Sequence, residues 1–534
     1  MINERPRLCG FSFIGKDMIN FKEKVLNFLN INEEELLFYM KDYTFDDLES
    51  PNNFSNIDVA ASRILEAIKN EEKIMIYGDY DCDGISATSI LVKMFQYLNY
   101  KVGYYIPSRY IDGYGINIER ANQIFQKGYD LVITVENGVA QHEAINFLTS
   151  KKIDVILTDH HEISFGLPEC YCVVHPSMKK SNEELKECGA YVAFMLSCKV
   201  LGRIDEYLLS LAALATISDM MPLRAYNRVI TKLALNIINK HDEFPYKLLL
   251  KNNNYIDEET LGFNICPKIN AVGRIKEDMS VNDVVRFFVS DDSYIKSKIL
   301  HEIEVVNSYR REILSNEINK IDFNSFDNKK IIILKINDIS EGIIGLIAAR
   351  ILNECQKPVI VFTNAKDGTL KGSARSLKGI SIVELFSYCQ DLLEAYGGHQ
   401  EAGGLSLKEE KFNEFVLKAE EYVFDKDVLI EDEECIVIEK DDVNYDNYLF
   451  LKKLSPFGID YKSPRFELKL HKDDISFIGN NNAHIKGILN NNASFIGFNL
   501  ADKIIDDNII AIGTIKYDTF KKGKNVTFNI EKIK

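Results

Sequence analysis

Residues 74–84 read IMIYGDYDCDG, an apolar run followed at once by an acidic turn. The run predicts a buried strand from Ile74 to Tyr77, and the residues from Ser86 to Asn99 predict a helix after the turn. In parallel α/β sheets, ligands bind beyond the carboxyl ends of the strands. Three carboxylates within five residues repel one another unless cations lie between them. The turn is therefore either a cation site or an acidic surface turn.

Two further strand-like runs end in the same way. Residues 131–135 lead into Glu136-Asn137-Gly138, and residues 155–158 lead into Asp159-His160-His161. Short β-rich runs separated by helix-length segments predict right-handed βαβ crossovers and a parallel sheet. Three neighbouring strand ends would then present oxygen and imidazole ligands to one crevice.

The ligand types in this crevice favour a hard divalent cation. Carboxylates with one or two imidazoles suit Mn²⁺ or Mg²⁺, whereas a set without thiolates is less typical of structural zinc. A fourth carboxylate, Asp219, follows the apolar stretch 211–218 and could close the ring. Taken alone, Asp219 is a residue at a helix end, and two adjacent histidines are more often core or surface residues than metal ligands.

Length and composition indicate a globular protein of several domains. The 534 residues include 64 basic and 80 acidic side chains, for a net charge of -16, and 46% are hydrophobic, which excludes fibrous and disordered classes. The acidic balance argues against wholesale coating of nucleic acid but allows a local basic groove. Ten cysteines without a C-x-x-C pair predict reduced thiols. With neither a signal peptide nor a membrane-spanning run, the sequence predicts a cytoplasmic protein.

The pattern changes along the chain. A charged amphipathic stretch from residue 291 to 320 suits a long helix that connects two domains. A second α/β pattern runs from residue 330 to about 407, and short alternating stretches after residue 434 predict a small β-domain such as a barrel. The predicted division is a helical lead-in (1–50), an α/β domain (51–260), a connecting helical region (261–325), a smaller α/β domain (326–425) and the β-domain (426–534).

The polar strand ends resemble the motifs of a known superfamily. Asp81-x-Asp83-Gly84, Glu136-Asn137-Gly138, Asp159-His160-His161 and residues 215–219 (ATISD) look like the successive motifs of the DHH phosphoesterases. Within that superfamily, the chain resembles the RecJ family of single-stranded-DNA exonucleases. The segments that carry this closer resemblance are IPSR (106–109), GYG (113–115) and NAVGR (270–274).

The resemblance extends to the second half of the chain. The smaller α/β domain is similar to the DHHA1 domain through EGIIG (341–345), GSARS (372–376) and GGHQEAGG (397–404). The final β-domain stands where RecJ proteins have an OB-fold, and SPFG (455–458) resembles the segment leading into it. The implied fold is a parallel-sheet DHH domain joined by a long helix to a smaller DHHA1 domain, followed by an OB-like β-barrel.

The resemblance also implies a site. Its metal ligands would be Asp79, Asp81, Asp83, Glu136, His160 and Asp219, with Glu136 at the bridging position. Asp159 would stand behind them as a catalytic residue, and His161 would face the scissile phosphate. The residues implied in substrate binding are Arg109, Tyr114, Asn270, Arg274, Ser373, Arg375 and His399. A guanidinium fork bonds two phosphate oxygens at once, which suits Arg109 and Arg274 to phosphate contacts.

The implied activity is 5′→3′ degradation of single-stranded DNA to mononucleotides in recombination and repair, with two Mn²⁺ or Mg²⁺ ions. A cleft between two domains would admit one flexible strand and exclude a duplex. The resemblance makes a single-strand-binding protein and a RecQ-type helicase candidate partners, implies a monomer, and implies no membrane contact.

Three departures from the family pattern leave alternatives open. Glu136 stands where the family has Asp, Ser340 where a His is usual, and residues 459–462 (IDYK) replace a Gly/Asn turn. One extra methylene moves a carboxylate by ~1.5 Å, beyond the ~0.5 Å that catalytic geometry tolerates. The alternatives are a catalytically weakened DNA-binding scaffold and a phosphodiesterase of short oligonucleotides.

Overall fold

A computed structural model describes residues 20–164, 166–180, 186–250, 255–275, 279–365, 368–429, 434–518, 521 and 523–534. The first part of the predicted lead-in, residues 1–19, lies outside this range. The chain forms two compact units: a larger one of residues 43–432 and 458–460, and a smaller one of the residues up to 42 with 433–457 and 461–534.

The larger unit begins with the predicted parallel sheet. Its strands are β1 (Ile74–Tyr77), β2 (Gly103–Tyr105), β3 (Leu131–Val135), β4 (Asp154–Thr158) and β5 (Cys172–Val174). Their order across the sheet is β2-β1-β3-β4-β5, and all neighbours are parallel. The three strands predicted from apolar runs therefore lie side by side at the centre, with β2 and β5 at the edges.

Helices cover both faces of this sheet. They are α3 (Ile57–Lys69), α4 (Cys82–Tyr97), α5 (Ile118–Gln126), α6 (His142–Ser150), α7 (Gly189–Leu201), α8 (Glu206–Ser218) and α9 (Ala225–Ile238). Helices α4, α7 and α8 are buried along most of their length, since apolar and small hydroxyl-bearing residues occupy nearly all of their faces.

A helical region connects this sheet to a second one. It comprises a π-helical turn (Thr260–Ile265), α10 (Cys266–Arg274), α11 (Val281–Val289) and α12 (Ser293–Asn319). The 27-residue α12 confirms the long connecting helix predicted for residues 291–320. Only one side of α12 is buried, as its charged amphipathic pattern requires.

The second sheet is mixed. Its strands are β6 (Ile332–Lys335), β7 (Val359–Asn364), β8 (Thr369–Arg375), β9 (Ala395–Gly398) and β10 (Ala402–Lys408), ordered β6-β7-β8-β10-β9. Strands β6 and β7 are parallel, and the other neighbours are antiparallel. The accompanying helices are α13 (Glu341–Cys355), α14 (Ile382–Tyr388) and α15 (Phe412–Val423).

The smaller unit combines both ends of the described chain. Helices α1 (Phe21–Leu29), α2 (Glu33–Met40) and α16 (Tyr445–Leu454) pack with a seven-stranded sheet. Its strands are β11 (Ile436–Ile438), β12 (Phe466–His471), β13 (Ser476–Ile478), β14 (His484–Asn490), β15 (Ala493–Gly497), β16 (Asn508–Tyr517) and β17 (Val526–Ile533), ordered β11-β12-β16-β17-β15-β14-β13. Phe21 stacks on Phe466, and Tyr39 on Tyr461. The lead-in helices therefore share the core of the β-domain.

Two further expectations concern the whole chain. Within the described residues, eight cysteines are free thiols, and six of these are buried: Cys82, Cys172, Cys188, Cys198, Cys266 and Cys389. Among the described residues, no helix is both long and apolar enough to cross a membrane.

Candidate metal centre and arginine wall

The carboxyl ends of β1, β3 and β4 bring the predicted ligands together. Three overlapping groups have ligand atoms within 4.8 Å of one another and could each hold a cation. They are Asp79 with Asp81 and Glu136, Asp83 with His160 and Asp219, and Glu136 with His160 and His161. Because Glu136 and His160 each belong to two groups, the ligands form one continuous cluster.

The acidic turn after β1 is held by two helix N-termini. Asp81 caps α4 by accepting a hydrogen bond from the Gly84 amide at 3.0 Å. Asp83, which is 1% exposed, accepts from the amides of Gly189 and Ala190 at 2.7 and 2.6 Å. These amides begin α7, where the helix dipole favours a negative charge. Helix packing thus orients both carboxylates toward the crevice.

Glu136 occupies the centre of the cluster in a left-handed backbone conformation, with φ of 64°. Its Oε1 lies 3.3 Å from His160 Nε2 and 3.6 Å from His161 Nε2. The methylenes of Glu136 pass directly over Gly189: a Cβ at residue 189 would lie 2.6 Å from Glu136 Cγ. The absence of a side chain at Gly189 therefore leaves the space through which Glu136 reaches both histidines.

Asp159 positions the two histidines from behind. Its Oδ1 accepts from the amides of His160 and His161 at 2.7 and 3.1 Å and lies 2.8 Å from His161 Nδ1. Burial alone would raise the pKa of Asp159, but its hydrogen bonds with His161 hold that pKa below the usual range. Burial opposes the charge on His161, yet the bond to Asp159 raises the pKa of His161 to about 8. Nε2 of His161 is then left facing the cluster.

Tyr114 also belongs to this cluster. Its hydroxyl donates to the Glu136 carbonyl at 3.1 Å and lies 3.1 Å from His161 Nδ1. The residue is nonetheless 44% exposed.

The residues fit the cations that the resemblance implies. Burial, followed by repulsion from Asp81, raises the pKa of Asp79 to about 8 and that of Asp219 to about 7. Burial also raises the pKa values of Asp83 and Glu136. Among the described residues, neither Asp79 Oδ1 nor Glu136 Oε2 has a hydrogen-bond partner, although both are buried. Buried carboxylate oxygens without donors are satisfied by hard cations.

The shifted pKa values in this cluster predict that the stability of the metal-free protein depends on pH. Asp79, Asp219 and His161 have pKa values of about 8, 7 and 8, above their unfolded values of ~3.9 and ~6.5, so each loses stabilising protonation as the pH rises. His160, whose pKa is lowered to about 4 by burial, has the opposite effect, but only below pH ~6.5. We therefore expect the melting temperature of the metal-free protein to fall between pH 6.5 and 8.

Scanning calorimetry with and without 1 mM Mn²⁺ checks this prediction, because a bound cation should abolish most of the pH dependence. The variant Asp79→Asn should show a shallower decline without metal. A metal-free melting temperature that stays constant or rises over this interval would contradict the assignment.

A group of arginines faces the carboxylate cluster. Burial lowers the pKa of Arg274, and the nearby guanidinium groups of Arg109, Arg310 and Arg375 lower it further, while Asp81 raises it. Arg109 also lies over the ring of Tyr80, with its guanidinium carbon 5.1 Å from the ring centroid. We call these four arginines the arginine wall. All four arginines are partly buried. A concentration of partly buried positive charge is electrostatically unfavourable unless an anion binds there.

Arg310 is a member of this wall that sequence reasoning missed. It projects from α12, and its buried Nε has no hydrogen-bond partner in the part of the chain that the structure describes. It lies in no motif, and its neighbour Arg311 is exposed. Only the packing of α12 distinguishes the two.

Ser340 and Tyr110 fix the backbone of Arg274. Both side chains contact the Arg274 carbonyl, the Tyr110 hydroxyl at 2.5 Å and the Ser340 Oγ at 2.8 Å, and they lie 2.7 Å from each other. Ser340 also caps α13 through the Gly342 amide. The serine that departs from the family pattern thus joins the first sheet's loop to the second sheet's first helix.

The other predicted substrate-binding residues lie in three places. Arg375 donates to Ser373 Oγ at 3.2 Å, so both belong to the side of the wall formed by β8. Asn270 accepts from the Cys82 amide at 2.8 Å and therefore supports the acidic turn. His399 is exposed in the connection between β9 and β10. Substrate binding by these four residues stays a prediction.

A cavity of about 890 Å³ adjoins the arginine wall. Its lining includes Arg109, Tyr110, Ser340, Tyr309 of α12 and Lys371 of β8. Its lining combines apolar, amide and charged side chains, which suits a ligand with both aromatic and ionic parts.

Known families match the chain in three consecutive segments. The DHH family, N-terminal domain, matches residues 73–216, the DHHA1 domain residues 328–425, and the RecJ OB domain residues 436–532. The first segment contains every predicted metal ligand except Asp219, and the second contains Ser373, Arg375 and His399.

Individual relatives extend these matches. The single-stranded-DNA-specific exonuclease RecJ of Bacillus subtilis (strain 168) is 33% identical over 501 residues, which cover 89% of this chain and 62% of the relative. The chain thus spans just under two thirds of that relative's length. The protein of the same name from Salmonella typhimurium is 32% identical over 394 residues, 68% of each chain.

Solved structures agree with these relatives. RecJ from Thermus thermophilus in complex with Mn²⁺ is 26% identical, with a TM-score of 0.80, over 96% of this chain and 77% of that one. Its complex with Mg²⁺ is 25% identical, with a TM-score of 0.74, over 96% and 76%. The three family segments occur in order, sequence identity to a relative reaches 33%, and the fold is shared along nearly the whole chain. This protein therefore belongs to the RecJ family.

Proposed function

We propose that the protein is a metal-dependent exonuclease that degrades single-stranded DNA from its 5′ end to mononucleotides. The observation that carries the proposal is the juxtaposition of the carboxylate–histidine cluster with the arginine wall. The cluster has the ligand types of a cation site, and the wall attracts a phosphate. The relatives named single-stranded-DNA-specific exonuclease support the choice of substrate.

The cations proposed are two Mn²⁺ or Mg²⁺ ions, held by Asp79, Asp81, Asp83, Glu136, His160 and Asp219. When bound, such ions neutralise charge on a phosphoryl group and lower the pKa of a water molecule. The Thermus relative was solved in complex with each of them. Asp159 keeps His161 protonated near neutral pH, so that His161 Nε2 can donate a hydrogen bond to a phosphate oxygen.

The arginine wall is proposed to bind the 5′-terminal phosphate. Guanidinium groups bond phosphate oxygens in pairs, and burial strengthens those bonds because water competes less. Tyr110 and Ser340 join the two α/β parts beside Arg274. In this proposal the 5′ end of the strand is held at this junction, so terminal nucleotides are removed in preference to internal cleavage.

The proposal is tested with a 3′-labelled oligonucleotide and Mn²⁺. We expect stepwise shortening from the 5′ end, release of mononucleotides, and no attack on a blunt duplex of the same sequence. Internal cuts without terminal shortening, or equal degradation of the duplex, would contradict the proposal. Cleavage confined to fragments of two to four nucleotides would instead favour the alternative of an oligonucleotide phosphodiesterase.

Glu136→Asp separates a working nuclease from a weakened scaffold. The shorter side chain withdraws its carboxylate by ~1.5 Å, away from His160 and His161, which Glu136 Oε1 now approaches within 3.6 Å. We expect this variant to cleave about tenfold more slowly than the parent under saturating Mn²⁺. An inactive parent with an active Glu136→Asp variant would show that the glutamate disables the site.

Arg310→Ala tests the arginine wall. Losing one buried phosphate contact of ~1.5–3 kcal/mol should raise the KM for 5′-phosphorylated DNA about 10-fold to 100-fold. The KM for the same strand with a 5′-hydroxyl should change much less. Arg311→Ala is the matched control, because this neighbour on α12 is exposed. Equal effects of the two substitutions would show that Arg310 does not belong to the arginine wall.

Several finer predictions accompany the proposal. The predicted domains 51–260, 326–425 and 426–534 each contain one family match. We propose them as the domain limits, with α1 and α2 added to the last domain because they share its core. A single-strand-binding protein and a RecQ-type helicase as partners, a monomeric state and a cytoplasmic location stay predictions.

A further inference from the structure

A short segment at the start of α7 contacts three of the proposed metal ligands. We call residues 187–190 (ECGA) the α7 entry segment. Its Gly189 and Ala190 amides donate to Asp83, and Gly189 lies against the Glu136 methylenes. Its Glu187 carbonyl accepts a hydrogen bond from the ring of His160. Because His160 Nε2 faces the carboxylates, the nitrogen available for that bond is Nδ1.

The entry segment is tied to distant parts of the chain by a buried ion network. The Lys179 ammonium donates to Glu187 Oε1 and, at 2.7 Å, to Glu49 Oε2. The Tyr191 hydroxyl donates to the same Glu49 oxygen at 3.0 Å, and Asn53 donates to the other at 3.2 Å. Lys179 thus bridges Glu187 to the loop before α3.

The network is almost completely excluded from water. The side chain of Lys179 is 4% exposed, and those of Glu49 and Glu187 are 0% exposed. The ammonium also lies 4.5 Å from the centroid of the Phe54 ring. An ion network in such surroundings has few alternative arrangements, because a displaced charge would lose its partners without gaining water.

We propose that Lys179 is a positioning residue for the metal centre. Through Glu187, it fixes the α7 entry segment and thereby the spacing of Asp83, Glu136 and His160. Lys179 does not itself belong to the ligand cluster. Hydrogen-bond partners that orient metal ligands typically contribute 10-fold to 100-fold to metal affinity or activity. The inference rests on the proposed function, since it assigns the network to the same cations.

The experiment compares Lys179→Met with the double variant Lys179→Met/Glu187→Gln. The methionine retains most of the lysine's length without its charge, and the double variant removes both charges of the pair. Lys199→Met is the matched control, since Lys199 pairs with Asp58 and contacts Asn52 near the same loop without reaching the entry segment. Circular dichroism establishes folding, and calorimetric titration with Mn²⁺ measures metal affinity independently of cleavage.

We expect both Lys179 variants to bind Mn²⁺ at least tenfold more weakly than the parent. Their kcat on single-stranded DNA should fall at saturating Mn²⁺, while the KM for DNA stays within twofold. The Lys199→Met control should match the parent in all three measurements. A folded Lys179 variant with parental Mn²⁺ affinity would overturn the inference and leave the network a purely structural feature.

Two further measurements keep the outcomes distinct. If neither Lys179 variant folds, Tyr191→Phe removes only the hydroxyl that orients Glu49, and we expect Mn²⁺ affinity to fall about threefold; an unchanged affinity would overturn the inference. If the parent binds Mn²⁺ but does not cleave DNA, the proposed function fails while the effect of Lys179 on Mn²⁺ affinity can still be measured.

Discussion

Asp81→Asn should abolish cleavage of single-stranded DNA while leaving the fold intact. Asparagine caps a helix as well as aspartate does, so the hydrogen bond from Gly84 to residue 81 survives the substitution. What disappears is one negative charge next to Asp79 and Glu136. We expect kcat to fall at least about 1,000-fold, more than the 10-fold to 100-fold effects of outer partners of metal ligands.

Three measurements check this result: kcat, the melting temperature and calorimetric Mn²⁺ affinity. The metal-free variant should melt at or above the parental temperature, because removing one charge relieves repulsion on Asp79. Asp292→Asn, which alters the cap of α12 in the same way, is the matched control and should cleave like the parent. Residual cleavage above a tenth of the parental rate would exclude Asp81 as a ligand.

Gly189→Ala is the second substitution from which we expect a large loss. The added methyl group would lie 2.6 Å from Glu136 Cγ and 2.9 Å from its Cβ, distances at which one residue must move. The Gly189 amide also holds Asp83, so the displacement affects two ligands at once. We expect kcat and Mn²⁺ affinity to fall about 10-fold to 100-fold, the range for partners that orient metal ligands.

The other end of the same helix supplies the control. Gly202 follows α7 with φ of 65°, and a Cβ added at this residue would have no described atom within 4 Å. Asparagine tolerates the left-handed conformation found there, so Gly202→Asn should retain parental kcat and Mn²⁺ affinity. Parental behaviour of Gly189→Ala would mean that Glu136 reaches the histidines by another path.

The position of the site could be predicted from sequence because its ligands are local to strand ends. Each apolar run ends in a short polar motif, and the carboxyl ends of parallel strands meet at one edge. The structure accordingly brings Asp81, Glu136 and His160 together. Asp219 does not follow a strand. It lies at the end of the apolar helix α8, and the end of that apolar run is also visible in the sequence.

The supporting contacts could not be predicted, since they join residues far apart in sequence. Tyr191 and Glu49 are separated by 142 positions, and Lys179 and Glu49 by 130. No local pattern distinguishes Lys179 from a surface lysine or Arg310 from Arg311. Strands β2 and β5 were missed for a different reason: at three residues each, they are too short for an alternating pattern to appear.

The β-domain was predicted from its alternating stretches, but its helical partners were not. Amphipathic helices carry no signal of which sheet they cover, and α1 and α2 lie next in sequence to the first sheet. The structure instead places Phe21, Val25 and Tyr39 in the core of the β-domain. Sequence proximity was therefore a poor guide to packing at this end of the chain.

The smaller unit is built from both ends of the described chain, so the ribosome synthesises its two parts at different times. About 390 residues separate its first part, which ends at residue 42, from its second, which begins at residue 433. The ribosome adds ~5–20 residues per second, so roughly 20–80 s pass between the synthesis of α1 and α2 and the start of synthesis of their sheet. During that time the intervening unit can fold, while the apolar faces of both helices stay uncovered and available to chaperones.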